Sequence, residues 1–127
     1  MGEAFQRSRL LCYNFTSVLL NKFTGENILG KLVRDKIPQI IKDDGKRPII
    51  RTLSTEEYLK ELDIKLNEEV AEYQADKSIE EMADVLEVLN AICVARGYSL
   101  EELEKVRKEK CEARGAFKDR IYWEGNR

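Results

Sequence analysis

The stretch that decides the fold is LNEEVAEYQADKSIEEMADVLEV, residues 66–88. Apolar residues recur in it at the three- and four-residue spacing of a helix, on both sides of the polar segment QADKS. Ser78 is followed three residues later by Glu81, which is the pattern of a capping box at a helix start. The stretch therefore predicts two helices joined by a short turn, and helices connected in this way pack antiparallel.

The same capping pattern occurs on both sides of this hairpin, at Ser54 with Glu57 and at Ser99 with Glu102. Gly97 and Gly115 follow the second and third helical segments, where glycine commonly ends a helix. We predict an all-α fold of antiparallel helical hairpins, which form a four-helix-type bundle completed by oligomerisation.

The part of the chain before Ser54 carries weaker signals. Asp35 is a candidate cap for a short helix to about Asp44, and KRPIIRTL, residues 46–53, has the composition of an extended edge segment. The first 30 residues show no sustained period. We therefore predict an N-terminal extension of unknown role over residues 1–30 and a helical domain over residues 31–127.

Composition excludes several classes of function. Charged residues make up 36% of the chain, yet the formal net charge is only -2, whereas a generic surface for membranes or nucleic-acid polymers needs an excess of positive charge. The chain contains no histidine, which excludes Ser-His-Asp and Cys-His chemistry. Its 3 cysteines show no C-x-x-C spacing, so we expect neither disulfides nor a zinc site. Reduced cysteines favour a cytoplasmic location, which we predict.

The second predicted helix is apolar on two sides. One stripe contains Met82, Leu86, Leu89 and Cys93, and the other contains Val85, Val88 and Ile92. A helix with two apolar faces needs a packing partner on each face. We therefore expect a homo-oligomer, either a dimer or a dimer of dimers.

Two pairs of carboxylates lie on the predicted hairpin, Glu69 with Glu72 and Glu81 with Asp84. Residues three apart lie on one side of a helix, so the hairpin can bring the pairs face to face. On a helical wheel Glu69 lies at the margin of the apolar stripe, whereas Glu68 lies well outside it.

Four clustered carboxylates repel one another unless a cation offsets their charge. An all-oxygen ligand set suits Mg²⁺, with Mn²⁺ as the alternative. The competing interpretation is structural, because Glu81 is also the third residue of its capping box and glutamate-rich helices are commonly solvated.

The pattern E-x-x-E followed by E-x-x-D resembles the MazG-like and phosphoribosyl-ATP pyrophosphohydrolase-like superfamily of all-α nucleotide pyrophosphohydrolases. KLVRDKIP, residues 31–38, is similar to the opening of one branch, and the resemblance extends to about residue 121. It implies that Glu69, Glu72, Glu81 and Asp84 hold Mg²⁺. The implied reaction cleaves a nucleotide between its α and β phosphates and releases pyrophosphate. We predict that Lys31, Arg34 and Lys36 bind the phosphates of the substrate.

Three other interpretations are weighed beside this one. The first is phosphoribosyl-ATP pyrophosphohydrolase of histidine biosynthesis, and the second is a non-catalytic helical interaction module. The third is a phosphate loop at GENILGKL, residues 25–32, but Leu32 stands where that motif needs a serine or threonine hydroxyl for Mg²⁺. The third interpretation is therefore rejected.

Overall fold

The computed structural model describes residues 30–127. These residues form four α-helices and no strand: α1 (Ile37–Asp43), α2 (Thr55–Asp76), α3 (Ile79–Ala95) and α4 (Leu100–Arg114). The all-α prediction is confirmed. The chain divides into two compact units, Met1–Lys46 and Arg47–Arg127. The predicted extension, except Gly30, and the first five residues of GENILGKL lie outside the described residues.

The first unit contains the short helix α1. Its N-cap is Lys36 and no side chain caps it, so the predicted Asp35 cap is wrong. Pro38 lies in the first turn, where its fixed φ suits a helix and its missing N–H would have had no partner within the helix. After the helix, Gly45 has a φ of +84°, a left-handed conformation that glycine adopts without a steric cost.

The helices of the second unit begin at the predicted serines. α2 and α4 have complete capping boxes, Ser54–Glu57 and Ser99–Glu102, in which each side chain accepts from the other residue's backbone N–H. At α3 the Ser78 hydroxyl accepts from the Glu81 N–H at 3.3 Å, and only this half of the box is present. Residues 46–53 are not a strand, because no strand lies among the described residues to pair with them.

α2 packs along α3, and α4 contacts α3. The two longer helices run antiparallel, because Asp63 in the first half of α2 forms an ion pair of 3.5 Å with Arg96, the C-cap of α3, whereas Glu69 further along α2 meets Glu81 in the first turn of α3. The buried apolar residues between the helices are Leu62, Val88 and Cys93. α2 and α3 therefore form the hairpin that the sequence predicts.

The other apolar face of α3 is exposed in the single chain. Met82, Leu86 and Leu89 retain 48%, 58% and 41% of their accessible surface. Val70 on α2 is also partly exposed, at 38%. No helix in residues 30–127 has the length and apolar character needed to cross a membrane.

Candidate metal centre

Three of the four predicted carboxylates converge where α2 passes the start of α3. One oxygen from each of Glu69, Glu81 and Asp84 lies within 4.8 Å of the others. Glu69 and Glu81 are buried, at 4% and 8% exposure, and Asp84 is partly exposed. The convergence therefore combines acidic charge with low solvent access.

Helix geometry explains why these side chains point to one place. Glu69 lies seven residues after the core residue Leu62, which is close to two full turns of α2. Asp84 lies four residues before the core residue Val88, one turn away on α3. Both carboxylates thus share the side of their helix that faces the hairpin core.

Glu81 lies seven residues before Val88, so it shares the same face of α3, and it is also the third residue of the helix cap. In a complete capping box its carboxylate would accept from the Ser78 backbone N–H. Glu57 and Glu102 do this at α2 and α4, but the Glu81 side chain lies with Glu69 and Asp84 instead. The capping interpretation of Glu81 therefore accounts for its backbone and not for its carboxylate.

Glu72, the fourth predicted carboxylate, lies within electrostatic reach of the same cluster. Burial raises the pKa of its carboxyl group, and the negative charges of Glu69, Glu81 and Glu68 raise it further, while Lys65 acts in the opposite direction. Glu72 is not one of the three residues whose oxygens converge. The cluster therefore consists of three close carboxylates and a neighbour that has an increased affinity for a proton.

Lys65 on α2 contacts the cluster, although it was not among the predicted site residues. Its side chain is 9% exposed, and its Nζ lies 3.1 Å from Glu69 Oε1 and 3.3 Å from Glu68 Oε1. Glu68 was expected to point well outside the apolar stripe, but its side chain is only 30% exposed and contacts this ammonium. The detectable signal was the spacing of Lys65 from Glu69, four residues apart on one helix face.

The three predicted phosphate-binding residues belong to the first unit. Lys31 is partly buried, and Arg34 and Lys36 are exposed. The Arg34 carbonyl accepts from the Ile37 N–H at 3.0 Å, which forms the turn into α1. Their assignment to substrate phosphates stays a prediction.

The donor set fits a hard divalent cation. Around a Mg²⁺ ion with ligand distances of about 2.1 Å, neighbouring octahedral oxygens are about 3.0 Å apart and opposite oxygens are about 4.2 Å apart. The carboxylate oxygens of Glu69, Glu81 and Asp84 lie within 4.8 Å of one another, so small side-chain rotations can bring them to these spacings. Oxygen donors alone suit Mg²⁺, Mn²⁺ and Ca²⁺, and they do not select among these ions.

Comparisons with known proteins identify one partial relative. A protein of Mycolicibacterium smegmatis (strain ATCC 700084 / mc(2)155), described only as uncharacterized, is 55% identical over 47 residues. The match covers 37% of this chain and 48% of the relative, so the chain spans about half of the relative's length. No family model matches the chain, and no solved structure matches it.

Proposed function

We propose that this protein is a nucleotide pyrophosphohydrolase of the MazG-like type. It hydrolyses a nucleoside triphosphate or a related nucleotide between the α and β phosphates, with Mg²⁺ or Mn²⁺, and yields a monophosphate and pyrophosphate. The observation that carries the proposal is the convergence of the Glu69, Glu81 and Asp84 carboxylates. The Glu81 carboxylate lies in this cluster and does not complete the capping box with Ser78.

The roles of the residues follow from their surroundings. Glu69, Glu81 and Asp84 would hold the cation, which neutralises phosphate charge and lowers the pKa of a water molecule. Glu72 is also assigned to the ligand set by its E-x-x-E spacing from Glu69. A carboxylate of the cluster would position the attacking water or accept its proton.

The proposed active form is a homo-oligomer, a dimer or a dimer of dimers, in which a four-helix-type bundle is completed between chains. Its support is the exposed apolar face of α3, formed by Met82, Leu86 and Leu89. Contiguous apolar surface on a helix marks a site of interaction. An identical α3 from a second chain offers the same surface, as closed symmetry requires.

Two other functions are compatible with the fold. Phosphoribosyl-ATP pyrophosphohydrolase cleaves the same kind of α–β bond, in a nucleotide that carries an additional phosphoribosyl group. A non-catalytic interaction module would use the carboxylates only as caps and solvated charges. The burial of Glu69 and Glu81 argues against this module, because a carboxylate loses hydration energy when it is buried.

The deciding experiment is a nucleotide panel with separate detection of pyrophosphate and orthophosphate. The panel contains ribo- and deoxynucleoside triphosphates and phosphoribosyl-ATP, each assayed with Mg²⁺, with Mn²⁺ and with EDTA. We expect pyrophosphate as the first product and no turnover in EDTA. Orthophosphate as the first product would contradict cleavage at the α–β bond, and no turnover of any nucleotide would favour the interaction module.

A further inference from the structure

Lys65 is a buried cation on the α2 face that carries Glu69. Its side chain is 9% exposed, and lysine is rarely buried to this degree unless its charge is paired. The ammonium lies 3.1 Å from Glu69 Oε1 and 3.3 Å from Glu68 Oε1. One buried charge thus contacts two carboxylates of its own helix, and one of them belongs to the candidate metal centre.

The environment distinguishes this contact from an ordinary helix ion pair. Lys105 and Glu109 have the same four-residue spacing on α4, but they lie 3.9 Å apart with side chains that are 76% and 60% exposed. Water and salt screen such an exposed pair, so it orients its carboxylate weakly. The side chains of Lys65 and Glu69 are 9% and 6% exposed, and a charge-assisted hydrogen bond in this environment restricts the Glu69 rotamer.

A carboxylate can serve two partners because it has two oxygens. Lys65 contacts Oε1 of Glu69, and the same carboxylate can ligate a cation through Oε2. Hydrogen bonds to a ligating carboxylate fix its direction, and their loss commonly lowers metal affinity by about 10- to 100-fold. The lysine also supplies positive charge beside a group of carboxylates that repel one another.

We infer that Lys65 is a positioning residue for the metal centre: it orients Glu69 and offsets the negative charge of the cluster. The inference rests on the proposed function for the presence of a cation at Glu69, Glu81 and Asp84. Lys65 strengthens cation binding through Glu69 and does not itself act on the substrate.

The test compares Lys65→Met and Lys65→Arg with the matched control Lys105→Met in the full chain. Mn²⁺ binding is measured by calorimetry, and thermal unfolding is measured in EDTA. We expect Lys65→Met to weaken Mn²⁺ binding by about 10- to 100-fold. Lys65→Arg keeps the charge and should recover most of this loss, and Lys105→Met should bind as the wild type does.

A second readout separates positioning from a general loss of structure. In Lys65→Met, half-maximal pyrophosphate release should shift to higher Mg²⁺ concentration, while kcat at saturating Mg²⁺ changes much less. Unchanged or tighter Mn²⁺ binding in Lys65→Met would overturn the inference. If Lys65→Met does not fold, Lys65→Gln takes its place, and failure of both to fold with Mn²⁺ present would show that Lys65 is structural and would also overturn it.

The wild type separates this inference from the proposed function. Saturable Mn²⁺ binding without pyrophosphate release from any nucleotide would contradict the proposed function, and the binding data for the variants would still decide the role of Lys65. Pyrophosphate release with equal Mn²⁺ affinity in the wild type and Lys65→Met would contradict only the role of Lys65. A wild type that binds no Mn²⁺ would overturn both.

Discussion

At the scale of single residues, the cluster concentrates negative charge in a place that water reaches poorly. Glu69 and Glu81 are 4% and 8% exposed, and Glu72 has a raised pKa beside them. Burying several carboxylates together is unfavourable unless cations offset their charge. Lys65 supplies one positive charge through its contact with Glu69, and a divalent cation would supply two more.

The first residue-scale prediction concerns the ligands. Glu69→Gln and Asp84→Asn should each reduce kcat/KM for nucleotide hydrolysis by at least about 100-fold, because each removes charge that the transition state needs. The matched control is Glu87→Gln, an exposed residue one turn beyond Asp84 on α3, which should change kcat/KM little. Steady-state kinetics with pyrophosphate detection measure all three. Similar losses in the control and the ligand variants would contradict the assignment.

The second residue-scale prediction concerns pH. The folded-state pKa of Glu72 is raised, so the folded chain holds this proton more tightly than the unfolded chain does. The contribution of Glu72 to the stability of the metal-free protein should therefore fall as pH rises from the ordinary value of 4.5 through the raised pKa. Glu72→Gln should remove this decrease and should be more stable than the wild type near neutral pH.

Urea unfolding in EDTA at several pH values measures the effect, with Glu57→Gln as the control. Arg51 and the Ser54 cap lower the pKa of Glu57, so Glu57 contributes stability above its unfolded pKa and loses it as pH falls. The two variants should therefore change the pH profile with opposite signs. A Glu72→Gln profile parallel to that of the wild type would contradict the prediction.

At the scale of the helix, α3 begins with a cap that serves two purposes. Ser78 fixes the first turn of α3 by accepting from the Glu81 N–H, and the carboxylate of the same Glu81 lies in the acidic cluster. The start of α2 has a complete capping box formed by Ser54 and Glu57, neither of which is among the converging carboxylates. The cap of α2 is therefore a matched control for the cap of α3, because only the cap of α3 contains a residue of the acidic cluster.

We predict that Ser78→Ala and Ser54→Ala each lower the free energy of unfolding by about 1 kcal/mol, because each leaves a backbone N–H of the first turn without its side-chain acceptor. Only Ser78→Ala should also weaken Mn²⁺ binding, because it loosens the turn that carries Glu81. Urea unfolding and calorimetry measure the two effects. Equal Mn²⁺ affinity in both variants would show that the cap does not influence the site.

At the scale of the whole molecule, the described residues do not enclose a large apolar core. The buried apolar residues are Leu62, Val88 and Cys93, and no side chain in residues 30–127 is completely buried. The hairpin thus leaves much of its apolar surface exposed. Burial of apolar surface is the main favourable term in folding and association, so a second chain on α3 would add stability that one chain lacks.

We predict that the wild type is larger than the 14.8 kDa monomer at micromolar concentration and that Leu86→Glu dissociates it. Leu86 is 58% exposed on the apolar face of α3, and a carboxylate there would lose its hydration in the interface. The control is Ile49→Glu, because Ile49 is 99% exposed and lies outside the helices. Light scattering measures the mass, and a monomeric wild type would contradict the proposed oligomer.

The helices of the second unit could be predicted from the order of residues alone. Ser54, Ser78 and Ser99 mark the three starts as predicted. A cap joins groups only three residues apart, so its signal is local and can be read from the order of residues. Local signals were less decisive at α1, where Asp35 was the predicted cap but Lys36 is the N-cap, and Pro38 removes one of the first-turn N–H groups from which a cap could accept.

Which side chains share the site depends on how α2 packs against α3. Spacing placed Glu69 and Asp84 on suitable faces, but their meeting depends on the rotation of α2 against α3, which is set by packing around Leu62 and Val88. Lys65 was not among the residues that were predicted for the site. Its burial follows from the position of α3 over that face of α2, because only the packed hairpin removes water from the ammonium and leaves carboxylates as its partners.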